Sequence, residues 1–123
     1  NANSMWCRVA YGDNAFLFTG DAMKKISTVT DEPLDRTLST YGSELVSDVL
    51  QFPHHGQLRS AARLQFKLIV KPGTLILSYV SSDPNYVYYT LTNADTVILD
   101  DDLVYISDGT SITCDGNAVR LHN

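Results

Sequence analysis

Hydrophobic and polar positions in the first part of the chain follow the two-residue period of β-strands. Residues 5–11 alternate between apolar and polar side chains, and residues 15–19 are almost entirely apolar. A turn cluster at residues 12–14 separates the two runs. The pattern predicts a β-hairpin whose second strand ends abruptly at Gly20 and Asp21.

Two later segments follow the helical period instead. Asp31 and Pro33 form a typical helix start and Gly42 a helix stop, so the sequence predicts a helix between them. Residues 60–70 have the pattern of a second, amphipathic helix. The residues of this second helix that we expect to face inward are Ala61, Leu64, Leu68 and Ile69.

The remaining segments are strand-like. Two runs, residues 48–52 and 74–80, are rich in β-formers, and four shorter runs make up the tail. The four tail runs are residues 96–99, 103–107, 111–114 and 118–121. Asp-Gly pairs at 108–109 and 115–116 indicate hairpin turns in this tail. Together the elements predict an α/β fold with a mixed sheet, helices on one face and an antiparallel C-terminal tail.

Length and composition limit the class of protein. With 123 residues, the chain is expected to form a single domain over residues 1–123, or part of one. A hydrophobic content of 44% and a charged content of 19% exclude a disordered tail and a collagen-like repeat. No apolar run approaches the roughly 20 residues of a membrane helix, so no membrane segment is expected. The net charge of −5, with scattered basic residues, argues against a nucleic-acid surface.

The two cysteines, Cys7 and Cys114, lie far apart, and each falls in a predicted strand. Their spacing matches neither a structural zinc site nor a disulfide framework. The default expectation is two buried, unpaired thiols. The alternative is a single bridge that joins the first strand to a late one.

The histidine pair His54-His55 is the first candidate for chemistry. It follows a buried-looking strand and precedes Gly56, in a chain that contains three histidines. A neutral imidazole nitrogen is the most common metal ligand in proteins. The alternative for this pair is a capping or core role, as for other partly buried histidines.

The second candidate is Asp21, which an apolar strand delivers through Gly20. A carboxylate in this position can hold two cations, one on each oxygen, at the separation of roughly 3.5–4 Å that two-metal hydrolysis uses. The alternative is that Asp21 caps the turn that follows it. Ligands of α/β sheets gather beyond the carboxyl ends of strands, where both candidates are expected.

The order of these two motifs resembles the metallo-β-lactamase superfamily. The resemblance is carried by residues 16–22 (FLFTGDA) and 47–56 (SDVLQFPHHG), preceded by the turn at residues 11–13. It is closest to the branch that contains the hydrolase domain of DNA-uptake competence proteins and the phosphorylcholine esterases. It covers residues 3–80 well and the tail loosely.

The resemblance implies a fold and a set of roles. The fold would be the C-terminal half of an αββα sandwich, without the N-terminal half that carries the first metal motif. Asp21 would be the metal-bridging carboxylate and His55 the terminal ligand of one metal. His54 would orient that ligand or contact substrate, and Gly20 and Gly56 would shape the two loops. Asp48, at the start of the strand that precedes the histidines, would be structural.

The resemblance also implies cofactors and partners. The complete protein would hold two divalent metals, zinc in most members, and would hydrolyse a phosphoester or related ester. Catalytic zinc takes three protein ligands, and the family's His-x-His-x-Asp-His motif does not occur in residues 1–123, so we expect no tightly bound metal in this chain. His122 is expected to be solvent-exposed. The expected partner is the N-terminal half of the same domain, or a second copy, on an uncovered apolar sheet face.

Two other functions remain open. One is a non-catalytic domain that kept this fold and lost its ligands. The other is a β-rich binding module in which the histidine pair is coincidental and tyrosines bind carbohydrate or peptide. The tyrosines concerned are Tyr79, Tyr86, Tyr88 and Tyr89, and ordinary strand aromatics are the simpler explanation of them.

Overall fold

The chain forms two β-sheets and a small number of helical segments. A computed structural model describes residues 4–22, 33–56, 66–78, 91, 93–99 and 102–122. The strands are β1 Cys7–Tyr11, β2 Asn14–Phe18, β3 Val49–Gln51, β4 Thr74–Leu77, β5 Asp95–Ile98, β6 Tyr105–Ser107, β7 Ile112–Cys114 and β8 Asn117–Ala118. The α/β class that the pattern predicts is therefore confirmed.

The larger sheet has five strands in the order β1-β2-β3-β4-β5. Strands β1 and β2 form the predicted hairpin, with Val9 opposite Phe16. The pairs β2–β3, β3–β4 and β4–β5 are parallel. The carboxyl ends of β2, β3, β4 and β5 therefore meet at one edge of the sheet.

The assignment of residues 96–99 to the antiparallel tail is wrong. Strand β5 lies in the larger sheet and pairs in parallel with β4, with Thr96 opposite Leu75. The connection, residues 78–94, has the dozen or more residues that a parallel crossover requires. The strand-like pattern of the segment was correct, but a local pattern does not specify which neighbour a strand pairs with.

The antiparallel tail that was predicted for the later residues is confirmed. Strands β6, β7 and β8 form a three-stranded antiparallel sheet. Asp115 and Gly116, in the tight turn between β7 and β8, have φ angles of 49° and 83°. Two consecutive positive φ angles are characteristic of a type I′ hairpin turn, which explains the Asp-Gly pair.

The helical segments agree with the sequence in one case and differ in another. Helix α1, Pro33–Tyr41, begins at the predicted proline and leads into a 3₁₀ turn, Gly42–Leu45. Residues 57–65, including Ala61 and Leu64, lie outside the described residues. The end of the second predicted helix is a π-helical turn, Phe66–Val70. Its inward residues are Phe66 and Val70, whereas Leu68 is 61% exposed, so the prediction for Leu68 is wrong.

The main core lies on one face of the larger sheet. Leu17, Leu50 and Leu75 occupy paired positions on β2, β3 and β4 and are fully buried. Leu38 of α1 and Phe66 of the π-helical turn pack against them. The described helical segments therefore cover this face, which removes its apolar side chains from water.

The antiparallel sheet covers part of the opposite face. Ile112 of β7 packs on Val49 and Ile76, which lie near the middle of the larger sheet. Closer to the hairpin, Val9 and Phe18 are 52% and 44% exposed. The face that was expected to be uncovered is therefore covered at β3 and β4, and Phe16 of β2 packs edge-to-face on Tyr105. Val9 and Phe18 remain exposed.

The two cysteines differ from the sequence expectation. Cys7 is exposed and Cys114 half-buried, both as free thiols, so the expectation of two buried cysteines is wrong. The error for Cys7 arises because β1 is an edge strand that no described element covers.

Among the described helical segments, none is long and apolar enough to cross a membrane. Tyr79, Tyr86, Tyr88 and Tyr89 lie outside the described residues.

Candidate functional site at the carboxyl ends of the strands

Polar side chains from three neighbouring strand ends meet at one edge of the larger sheet. Asp21 follows β2, His54 and His55 follow β3, and Ser78 comes directly after β4. Because these strands are parallel neighbours, their ends emerge side by side. The sequence expectation that Asp21 and the histidine pair occupy the same edge is confirmed.

Asp21 and His55 are held close together. The Oδ1 atom of Asp21 lies 3.6 Å from Nε2 of His55, and the two side chains are 50% and 33% exposed. The other ring nitrogen, Nδ1 of His55, lies 2.8 Å from the Ser78 hydroxyl. This contact fixes the ring so that Nε2 is on the side of Asp21. Metal-binding histidines are commonly oriented in this way, through the ring nitrogen that does not bind the metal.

The loop that carries the two histidines has an unusual backbone. His54 has φ 50° and ψ 45°, and His55 has φ 57° and ψ 17°, within a turn that ends at Gly56. Each left-handed residue that is not glycine costs roughly 1–2 kcal/mol. The sharp turn was expected at Gly56, whereas the positive φ angles fall on the histidines themselves. Such strain is concentrated at functional sites in proteins.

A backbone hydrogen bond joins the two loops. The His54 N–H donates to the Gly20 carbonyl oxygen at 3.0 Å. Gly20 has a φ of 56°, a conformation that glycine adopts without strain. The positive φ angle of Gly20 agrees with the loop-shaping role predicted for it.

His54 also presents a buried nitrogen. Its Nδ1 atom is inaccessible to solvent and has no hydrogen-bond partner among the residues that the structure describes. A buried polar atom without a partner is uncommon and costs about 1–3 kcal/mol. The ring is therefore held in place by its surroundings and not by a hydrogen bond at Nδ1.

Two site residues, Gln51 and Ser78, were not identified from the sequence. Ser78 was placed inside a strand predicted over residues 74–80, but β4 ends at Leu77. Gln51 is the last residue of β3, and its side chain contacts the loop of Gly20. The signal that would have identified both is their position at a strand end next to the other site residues.

A second pair of aspartate and histidine lies at the opposite edge of the sheet. The Asp48 carboxylate is 1% exposed and lies 2.5 Å from Nδ1 of His122. It also accepts hydrogen bonds from the backbone N–H groups of Ala15, at 2.8 Å, and His122, at 3.0 Å. Burial alone would raise the pKa of Asp48, but the hydrogen bonds from His122 and Ala15 outweigh it and lower that pKa below its ordinary value.

These contacts settle the expectations for Asp48 and His122. Asp48 was expected to be structural, and its contacts at the start of β3 agree with that role. His122 is exposed, as expected, although its ring nitrogen Nδ1 contacts a buried carboxylate.

The metal-ligating groups at the candidate site are few. Within the described part of the chain, no group of three or more His, Cys, Asp or Glu side chains converges as a metal site would require. Asp21 and His55 supply one oxygen and one nitrogen donor that face each other. A metal held at this edge would therefore need further ligands.

Three comparisons with known proteins gave no match to this chain. No family model, no curated protein and no solved structure was found to be similar to it. The candidate function therefore rests on the residues and distances of the site.

Proposed function

We propose that this chain contributes Asp21 and His55 to the site of a metal-dependent hydrolase of the metallo-β-lactamase type, which acts on phosphoester or related ester bonds. The observation that carries the proposal is the approach of the Asp21 carboxylate to Nε2 of His55 at 3.6 Å. The resemblance of residues 16–22 and 47–56 to that superfamily, including the branch of the DNA-uptake competence proteins, supports it.

The donors at this edge fit a divalent metal such as zinc. Zinc binds imidazole nitrogen and carboxylate oxygen, and both are present. The Ser78 hydroxyl at Nδ1 of His55 provides the outer contact that metal-bound histidines usually have. Both donor side chains are partly exposed, so a metal ion has access to them.

Each residue of the site has a part in this proposal. Asp21 and His55 would hold the metals, and His54 would contact the substrate or orient His55. Gly20 and Gly56 shape the loops that carry these side chains. When bound, a pair of metals supplies Lewis-acid activation of water and stabilises the charge that develops during ester hydrolysis.

The proposed site needs ligands from outside this set. A catalytic zinc normally takes three protein ligands, and a pair of metals takes more. The missing ligands would come from the N-terminal half of an αββα sandwich, of which these residues form the other half, or from a second copy. The exposed side chains of β1 and β2, such as Val9 and Phe18, offer an apolar surface for that partner.

Zinc titration followed by NMR tests the proposal on the chain itself. Zinc should shift the resonances of Asp21, His54 and His55 first. The affinity should be weak, because this edge supplies two facing donors and a catalytic zinc normally takes three protein ligands. Asp21→Ala and His55→Ala should each lower this affinity by about tenfold or more, since even outer partners of a metal ligand contribute about that much.

The matched control is His122→Ala, which removes the histidine of the other pair. This variant should retain the zinc response at Asp21 and His55. Equal shifts at His122 and His55 would indicate unspecific binding to exposed imidazoles and would remove the support for a metal site. An absence of any response in residues 19–22 and 53–56 would also overturn the proposal.

A second candidate function is a non-catalytic domain of the same fold. The observation that favours it is that no group of three metal-ligating side chains converges among the described residues. Under this reading, Asp21 and His55 form an ordinary surface pair. Zinc binding that is unchanged by Asp21→Ala and His55→Ala would support this candidate over the hydrolase.

A further inference from the structure

The side chain of Gln51 lies between the two loops of the candidate site. Its Oε1 atom accepts hydrogen bonds from the backbone N–H groups of Thr19, at 2.9 Å, and Gly20, at 2.8 Å. Its Nε2 atom donates to the Phe52 carbonyl oxygen at 2.9 Å and lies 3.5 Å from the Gly20 carbonyl oxygen. One amide group therefore contacts the loop after β2 and the start of the loop after β3.

These contacts replace the regular sheet hydrogen bonds where the two strands diverge. The last register pair of β2 and β3 is Phe18 with Gln51. Beyond it, the Thr19 hydroxyl donates to the Gln51 carbonyl oxygen at 2.7 Å, and the Thr19 N–H turns to the Gln51 side chain. Backbone groups at a strand end need partners as much as those inside the sheet. Gln51 provides them from a single side chain.

A backbone hydrogen bond then links Gly20 to the loop of His54 and His55. The Gly20 carbonyl oxygen accepts a hydrogen bond from the His54 N–H at 3.0 Å. Asp21 follows Gly20, and His55 follows His54, so the two backbone neighbours set the 3.6 Å approach of the side chains. The chain of contacts runs from Gln51 to Gly20 to His54.

We infer that Gln51 is a positioning residue, whose side-chain amide locks the loop of Gly20 and Asp21 to the loop of His54 and His55 and so sets the spacing of the candidate metal donors. The locking of the loops stands on these contacts alone. Its consequence for metal binding rests on the proposed function.

Amide hydrogen exchange measured by NMR tests the locking. Gln51→Met has a side chain of nearly the same length without the amide, and Gln51→Asn keeps an amide that is too short to reach Thr19 and Gly20. In both variants the exchange of the Thr19 and Gly20 amides should rise, because they lose their acceptor. The deciding readout is His54, whose amide should also exchange about tenfold faster as the Gly20 carbonyl moves away.

Two further variants separate positioning from a general loss of stability. Ser47→Ala removes a buried hydrogen bond, from the Ser47 hydroxyl to the Leu45 carbonyl oxygen, just before the other end of β3. It should leave the His54 amide protected. Gln51→Glu keeps an acceptor oxygen for Thr19 and Gly20 but loses the N–H that donates to the Phe52 carbonyl oxygen, so it should restore only part of the protection of His54.

The outcomes are distinct. If the His54 amide keeps its protection in Gln51→Met and Gln51→Asn, while Thr19 and Gly20 lose theirs, Gln51 only caps β2 and the inference is overturned. If His54 loses protection equally in Ser47→Ala, the effect is one of overall stability, and the inference also fails.

Zinc titration of the same variants distinguishes this inference from the proposed function. If the unaltered chain binds zinc at Asp21 and His55, Gln51→Met should lower the affinity by about tenfold, as loss of an outer contact does. An unchanged affinity would overturn the link from Gln51 to the metal donors. If the unaltered chain does not respond to zinc, the metal site fails, and the exchange of His54 still decides whether Gln51 locks the loops.

Discussion

The two aspartate–histidine pairs of this protein lie at opposite edges of one sheet and differ in almost every physical respect. Asp48 is 1% exposed and lies 2.5 Å from His122. Asp21 is 50% exposed and lies 3.6 Å from His55. The backbone of His54 and His55 is left-handed, whereas neither member of the Asp48 pair has a positive φ angle.

The difference shows what distinguishes a structural pair from a candidate site. The Asp48 carboxylate has three donors around it, from Ala15 and His122, so its oxygen atoms are already used. Such a buried and hydrogen-bonded carboxylate contributes to stability. The Asp21 pair is accessible, lies on a strained loop and is 3.6 Å apart, which is too long for a strong hydrogen bond. We therefore expect this pair to contribute little to the stability of the fold.

The difference between the two pairs is tested most directly by removing each aspartate in turn. Asp48→Ala leaves the N–H groups of Ala15 and His122 without their acceptor. Each unsatisfied buried donor costs about 1–3 kcal/mol, so the free energy of unfolding should fall by about 4 kcal/mol. Asp21→Ala should change it by less than about 1 kcal/mol, since exposed pairs contribute little. Urea denaturation of the two variants measures both values. Similar losses in the two would show that the pairs do not differ in role.

The second test concerns the segment that brings His122 to Asp48. A Cβ atom on Gly73 would clash with the Leu121 carbonyl oxygen, far closer than van der Waals contact between carbon and oxygen allows. Gly73→Ala should therefore displace this segment, weaken the contact of His122 with Asp48 and cost about 3 kcal/mol of unfolding free energy. Thermal denaturation measures the loss, and NMR shifts of His122 report the displacement.

Gly20→Ala is the matched control at the other edge. A Cβ atom there would have no neighbour closer than 3.8 Å, so the cost is the strain of a φ angle of 56°. That strain is about 1 kcal/mol. A larger loss for Gly20→Ala than for Gly73→Ala would mean that the last segment of the chain is not held tightly against the sheet.

The third test uses the lowered pKa of Asp48, which should have a smaller effect. Aspartate in an unfolded chain titrates at about pH 3.9. Because the pKa of Asp48 is lower than this in the folded protein, its ionised form stabilises the fold above about pH 4. That stabilisation is lost as the pH falls through the folded pKa. Unfolding free energies between pH 2.5 and pH 6 should therefore decline more steeply in the unaltered chain than in Asp48→Asn.

A second carboxyl group, that of Asp108, also has a lowered pKa and affects stability at acid pH. Hydrogen bonds from Ser111 and Thr110 also lower the pKa of the exposed Asp108. Asp108 is present in both proteins, so the difference between their pH curves isolates Asp48. Parallel curves would show that Asp48 does not contribute to the acid sensitivity of the fold.

The local features of the fold were predictable because they depend on neighbouring residues. The hairpin of β1 and β2 follows from alternation and a turn cluster, and α1 begins at Pro33 as the helix-start signal indicates. Predictions failed where contacts are distant in sequence, as for β5, and where the local helical geometry differs from the assumed period. Leu68 was assigned inward from a helical period, but the described segment forms a π-helical turn that buries Phe66 and Val70 instead.

The candidate site was partly predictable for the same reason. Asp21 and the histidine pair were found because strand ends are visible in the sequence and parallel ends share an edge. Gln51 was not found, since its amide is important only once β2 and β3 lie side by side. Ser78 was not found, because the end of β4 depends on its pairing in the sheet.

The sequence by itself determined the strands, the turns with Asp-Gly pairs and the two loops that carry the candidate donors, because these follow from side-chain periodicity and backbone preference over a few residues. The tertiary structure decided that β5 joins the parallel sheet, that Gln51 spans two loops and that Asp48 pairs with His122. These decisions depend on residues up to 74 positions apart. No local pattern specifies such pairings, which are fixed only when the sheet forms and its core is packed.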